Sequence, residues 1–317
     1  MAVGELPLLR RGLPRYYLPR LLLMKPNLLK IRWRRLLALL AAGGVVAGCA
    51  SLGETERELI FRPVKEEWRG YQSSATKFEE RWIPVKAGKD KAIGKLHAWW
   101  APGPTPDAPV LLYLHGARWN LTGSVTRIPR WQRMGFAVLA IDYRGFGKSE
   151  GEMPSETTVY EDAQAAWDYL KISAPKSQRY LHGHSLGGAV AIEMARRNPD
   201  ASGLILEATF TSIPDMVKET KWGFLPVGFL ITQRFDSIAK MHDVKVPTVF
   251  VHGTNDAIVP SHMSQKLFDA TLAPKRLVMV QGGTHHNLTA MAYDDVKGAV
   301  SQLFGWSTTS IPAVGSQ

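Results

Sequence analysis

One cysteine, Cys49, is all that 317 residues contain, so no internal disulfide can form in any compartment. Internal repeats and low-complexity segments are absent. So is a comfortable membrane span: the apolar stretch "LLALLAAGGVVAG" at 36–48 falls well short of the roughly twenty residues a bilayer requires. Acidic residues are scarce at the front. Residues 1–48 carry a single acid, Glu5, against nine Lys and Arg, a net of +8, whereas the remainder of the chain is at only +3. The overall +11 therefore belongs mostly to the front end, and the nearly neutral body argues against nucleic-acid binding through a basic surface. No histidine pair with an acid at metal-ligand spacing occurs near His285-His286, so neither a metal nor a cofactor is expected.

What the front does contain is a targeting pattern. "KIRWRR" at 30–35 is a positive n-region, and 36–48 is an apolar h-region ending in small residues. The run Val46-Ala47-Gly48-Cys49 resembles a bacterial lipobox, with valine where leucine is usual. That resemblance implies lipidation of Cys49, export to the cell envelope and a membrane anchor; the alternative is a lone cysteine after an ordinary secretory signal. The proline-dotted residues 1–23 do not fit such a signal, and translation from Met24 would give a complete one. The expected organisation is a targeting segment at 1–48, a tether at 49–75, one domain at 76–306 and a tail at 307–317.

Within the domain, "FEERWIPV" (78–85) and "IGKLHAWWAP" (93–102) read as strands joined by a turn. Six continuous apolar runs follow, at 108–116, 135–145, 177–185, 202–210, 246–254 and 275–283, as expected of strands buried on both faces. Between them lie helical patterns at 122–134, 157–171, 186–197, 261–272 (Ser261 as N-cap) and 289–304. Alternating β and α units predict an α/β fold with a mostly parallel central sheet and helices on both faces. Residues 211–245 break the alternation without a strand.

Two serines match Gly-x-Ser-x-Gly: Ser149 in "GKSEG" and Ser185 in "GHSLG". Ser185 directly follows a strand and opens a helix, a bend so sharp that the serine is strained and its flanking residues must be small. Its hydroxyl projects above the sheet edge, beside the N–H of Leu186. Ser149 is separated from its strand by "YRGFG" and followed by a proline-containing loop, which makes it part of a structural turn.

The landmarks "LLYLHG", "AIDYRGFGKSEG", "GHSLGG", "VPTVFVHGTNDAIVP" and "GGTHHN", in that order, resemble the α/β-hydrolase superfamily from about residue 78 to 305, and most of all its small serine hydrolases with a short cap. The resemblance implies the chain order Ser, acid, His. It implies Ser185 as nucleophile and Asp256 as acid, with Glu207 the alternate acid. His285 is the implied base, with His286 as the alternate, and the backbone N–H groups of Leu186 and Ala117 form the oxyanion hole. Residues 211–245 become the cap, with "WGFLPVGFLI" as an apolar wall. The expected activity is cleavage of carboxylic esters or thioesters of small-molecule or lipid-like substrates through an acyl-enzyme. A serine peptidase or amidase and a non-catalytic surface lipoprotein are the competing readings.

Overall fold

The computed structural model describes Met1 and residues 52–71, 78–87, 91–221, 223–225 and 228–306. Cys49, the targeting segment and the tail at 307–317 lie outside the described residues. Among the described residues no helix is long and apolar enough to cross a membrane.

Eight strands form one sheet in the order β1-β2-β4-β3-β5-β6-β7-β8. They are β1 (Glu79–Ala87), β2 (Lys91–Ala101), β3 (Val110–Leu114), β4 (Ala137–Ile141), β5 (Arg179–His184), β6 (Gly203–Glu207), β7 (Thr248–Gly253) and β8 (Lys275–Val280). The β1–β2 and β2–β4 pairings are antiparallel; every other pairing is parallel. All eight fall on the expected runs, and this is the architecture that the resemblance implies. The central strands are buried along their whole length, and their alternation divides the core in two.

One face carries Leu112, Leu139 and Leu206, packed with Val159, Trp167 and Ile192 from helices α3 (Glu156–Ser173) and α4 (Leu186–Arg197). The opposite face carries Leu111, Val138 and Val249, packed with Trp131 and Val300 from α2 (Ile128–Arg133) and α9 (Tyr293–Phe304). A short helix α7 (His262–Ala270) precedes β8, and α8 (Leu288–Met291) precedes α9. Ser261 sits at the N-cap of α7 as expected, although its side chain makes no capping hydrogen bond there.

Two sequence expectations change. Residues 52–71, placed in the tether, pack on the domain. Helix α1 covers 52–61, Phe61 is fully buried against Phe235, and Phe61 O accepts the Arg118 N–H at 2.8 Å. Glu56 accepts the backbone N–H groups of Thr232 and Gln233. A polar-looking stretch is thereby recruited through one aromatic and backbone hydrogen bonds, neither of which has a periodic signature.

The second concerns the cap. Helices α5 (Ile213–Lys218) and α6 (Ser237–Lys240) bracket an outward-facing segment in which Phe224 and Phe229 are 77% and 79% exposed. Among the described residues of the insertion, the cavity wall comes instead from Ile213 and Met216 on α5.

Candidate active site

Ser185 joins β5 to α4 with φ 55° and ψ −120°, a conformation that costs a non-glycine residue about 1–3 kcal/mol. The surroundings enforce it. Ser185 N–H donates to Glu207 O at 2.9 Å, and the Ser185 carbonyl accepts from Thr209 Oγ1 at 2.8 Å. A Cβ at Gly183 would lie 2.1 Å from Gly187 O, and one at Gly187 2.1 Å from Leu114 O. Gly-x-Ser-x-Gly is thus the only pattern that lets helix and sheet approach this closely here. With its backbone bonded away, the serine side chain faces a cavity of about 240 Å³ that His285, His286, Leu186 and Ala117 also line.

His285 comes from the loop after β8 and Asp256 from the loop after β7. His285 Nδ1 lies 2.7 Å from Asp256 Oδ2, with both side chains buried. Asp256 Oδ1 accepts the N–H groups of Ile258 and Val259 at 2.8 and 2.9 Å, and His252 Nε2 stands 3.2 Å from Oδ2. Burial alone would raise this carboxyl. The hydrogen bonds from His252 and His285, the His285 charge and the Val259 N–H outweigh it and hold Asp256 far below the usual carboxylate range.

His286 makes no bond to Asp256 among the described residues. Its carbonyl accepts from Arg127 Nη2 at 3.0 Å, and its ring packs against Trp119 with centroids 5.4 Å apart. Glu207 is likewise turned elsewhere: it is buried between His182 Nε2 at 3.3 Å and Thr289 Oγ1 at 3.0 Å. Ser149 is buried inside its turn, where its hydroxyl donates to Asp142 O and accepts from His97 N–H.

The N–H groups of Leu186 and Ala117 have no acceptor among the described residues. They stand at the start of α4 and in the loop after β3, and a Cβ at Gly116 would lie 3.1 Å from Ser185 Cβ. The β3 loop therefore runs directly beside the serine. Asp142 braces it, accepting Leu121 N–H at 2.8 Å and facing His115 Nε2 at 3.4 Å.

Residue-by-residue reading missed two histidines. His184 Nε2 donates to His285 O at 2.8 Å, tying the middle of the Gly-x-Ser-x-Gly turn to the histidine loop; burial, then the nearby Arg127 and His285 charges, push its pKa well down. His252 backs Asp256 from four residues upstream, and that i, i+4 spacing was the only available signal. Folding also brings ring nitrogens of His184, His285 and His286 within 4.8 Å of one another. This set was invisible in the sequence, and in it Asp256 already takes His285 Nδ1.

A family model described as serine aminopeptidase, S33 matches residues 105–239, which include Ser185 but neither Asp256 nor His285. The alpha/beta hydrolase domain-containing protein WAV2 of Arabidopsis thaliana is 30% identical over 248 residues, covering 71% of this chain and 79% of that protein. A lysophosphatidylserine lipase of Danio rerio is 32% identical over 218 residues, covering 62% of this chain but 56% of the lipase. Among solved structures, an esterase of Pyrococcus furiosus superposes with a TM-score of 0.60 at 18% identity, covering 77% of this chain and 99% of the esterase.

Proposed function

We propose, from the premise that this chain belongs to the α/β-hydrolase superfamily, that it is a serine hydrolase cleaving carboxylic esters or thioesters. The observation that carries the reading is the 2.7 Å pairing of His285 with a buried, ionised Asp256, on the wall of the cavity that the strained Ser185 faces. A serine hydroxyl needs a base, and the base needs a carboxylate to fix its tautomer. With Nδ1–H donated to Asp256, His285 presents Nε2 as the acceptor.

The steps follow from that tautomer. Ser185 Oγ bonds to the acyl carbon as its proton passes to His285 Nε2, and the carbonyl π electrons move onto oxygen. The N–H groups of Leu186 and Ala117 receive that oxyanion; one such donor is worth about 3 kcal/mol of barrier. As the intermediate collapses, His285 returns the proton to the departing oxygen or sulfur. Water, deprotonated by the same imidazole, then releases the acid and restores Ser185.

The description of the matching family raises a peptidase as a second reading. An aminopeptidase must hold a substrate ammonium, yet among the described residues lining the cavity there is no Asp or Glu. Ester cleavage is therefore favoured. The walls supplied by Leu59, Ile60, Phe210, Ile213, Met216 and Ile258 suit an acyl chain, and the cavity lies at the small end of ligand pockets. A series of 4-nitrophenyl esters from acetate to palmitate should show kcat/KM peaking at short to medium chains, with 4-nitroanilide counterparts at least 10²-fold slower. Faster anilide turnover would reverse the assignment.

Lipidation at Cys49 and residence at an exported membrane surface belong to the same proposal, supported by the sequence pattern around Val46–Cys49. Cys49→Ser in the full chain should move the protein from the membrane to the soluble fraction of an expressing bacterium. Unchanged membrane recovery would refute the anchor.

A further inference from the structure

The catalytic cavity holds two arginines and, among its described lining residues, no acid. Arg118 follows the candidate oxyanion donor Ala117 directly. It is an exposed residue at φ 72°, the left-handed region that a non-glycine residue occupies only when something holds it there. Here the hold is its N–H, bonded to Phe61 O at 2.8 Å. Its guanidinium has no hydrogen bond or ion pair among the described residues. Arg127 is half-buried. Its Nη2 donates to the His286 carbonyl at 3.0 Å and lies 3.5 Å from the His286 Nδ1. Its Nη1 has no hydrogen-bond partner and stands 4.0 Å from Glu207 Oε1.

Arg127 lies against His286, and Arg118 adjoins that residue through its chain neighbour Trp119. Trp119, next to Arg118, packs on the His286 ring, and the His285 and His286 rings are 5.0 Å apart. The proton that His285 returns goes to the leaving group, so the leaving group must rest against this side. A second cavity of about 390 Å³ continues outward from it, sharing Arg118, Trp119 and Gly123 with the first. Trp68 and Trp119 stack in its wall at 5.8 Å. Glu66, Glu67 and Arg69 also line it, so the outer groove is mixed in charge, whereas at the inner end Arg127 is ion-paired with the buried Glu207 and Arg118 is left as the uncompensated cation.

We infer that Arg118, with Arg127 behind it, forms an anion subsite for the leaving alcohol, so that the preferred substrates are esters whose alcohol carries a phosphate or carboxylate. This rests on the ester-hydrolase reading and adds the chemistry of its leaving group. A planar guanidinium can meet either anion through paired N–H donors, and the tryptophan-walled groove receives whatever lies beyond the anion.

The test compares esters matched in acyl chain. Monobutyrin is set against butyryl glycerol phosphate, and 4-nitrophenyl butyrate against an analogue whose nitrophenol bears a carboxylate. Wild type should favour the anionic member of at least one pair by about tenfold or more in kcat/KM, and the two pairs separate phosphate from carboxylate recognition. Arg118→Gln should cut that preference ratio about tenfold, whereas Arg118→Lys should retain most of it. Each variant is as acceptable as arginine at φ 72°, because the backbone hydrogen bond is untouched. Equal rates on neutral and anionic esters, or a ratio unchanged in Arg118→Gln, overturn the subsite. Turnover of neither class would overturn the ester-hydrolase reading instead.

Discussion

Ser185→Ala should reduce ester turnover by a factor on the order of 10⁶ and abolish labelling by a fluorophosphonate probe, with the fold intact. The size follows from the roles proposed for the cavity. Without Oγ no acyl-enzyme forms, and the imidazole has no proton to move; only the Leu186 and Ala117 donors persist to favour attack by water. Alanine removes no packing and no fold-bearing hydrogen bond, because Ser185 is anchored by its backbone N–H and carbonyl. The other Gly-x-Ser-x-Gly serine is the internal control. Ser149→Ala strips a donor from Asp142 O and an acceptor from His97 N–H, so it should cost about 1–3 kcal/mol of stability. The folded fraction should still label. Equal labelling of Ser185→Ala and wild type would sink the nucleophile assignment.

The second large effect is expected at the orienting pair. Asp256→Asn should lower kcat by about 10⁴, since an amide that donates to His285 Nδ1 turns the imidazole to the wrong tautomer. His285→Ala should match Ser185→Ala in depth. His286→Ala should keep most of the turnover, because that ring has no contact with Asp256 and the residue is held through its carbonyl. A larger loss in His286→Ala than in His285→Ala would exchange their roles. The pH dependence has a definite sign. Asp256 has a folded pKa far below its unfolded value, which is about 3.9. Its contribution to stability is therefore complete above that unfolded value and is lost as pH falls towards the folded one. Asp256 thus stays ionised wherever the protein is active. The acid limb of kcat/KM should then show one ionisation, and Asp256→Asn should lower the plateau without adding a second step.

Much of the candidate site was legible in the sequence because its parts are local and the family resemblance supplied their order. Ser185 between small residues, after an apolar run and before a helix, states its own backbone conformation. Asp256 and the histidine pair each follow such a run, where a loop at the sheet's carboxyl edge begins. What could not be read was the choice between neighbours. His285 and His286 are adjacent and chemically identical; only the path of the loop, pinned by His184 at one carbonyl and Arg127 at the next, decides which ring meets the carboxylate. Glu207 was open for the same reason, and its burial against His182 and Thr289 comes from strands and helices far apart in the chain.

Local pattern sufficed for the eight strands, the alternation with helices and the strained bend at 185, since burial on one or both faces imposes a period on nearby residues and a tight turn restricts side-chain size. Only the folded chain settles which imidazole pairs with Asp256, that residues 52–71 pack on the domain and bring Leu59 and Ile60 to the cavity, that Phe224 and Phe229 face outward, and that two arginines but no acid are among the described residues lining it. Those are contacts between segments tens of residues apart, and no local pattern encodes them, because the energy that selects them exists only once the sheet has brought the loops together.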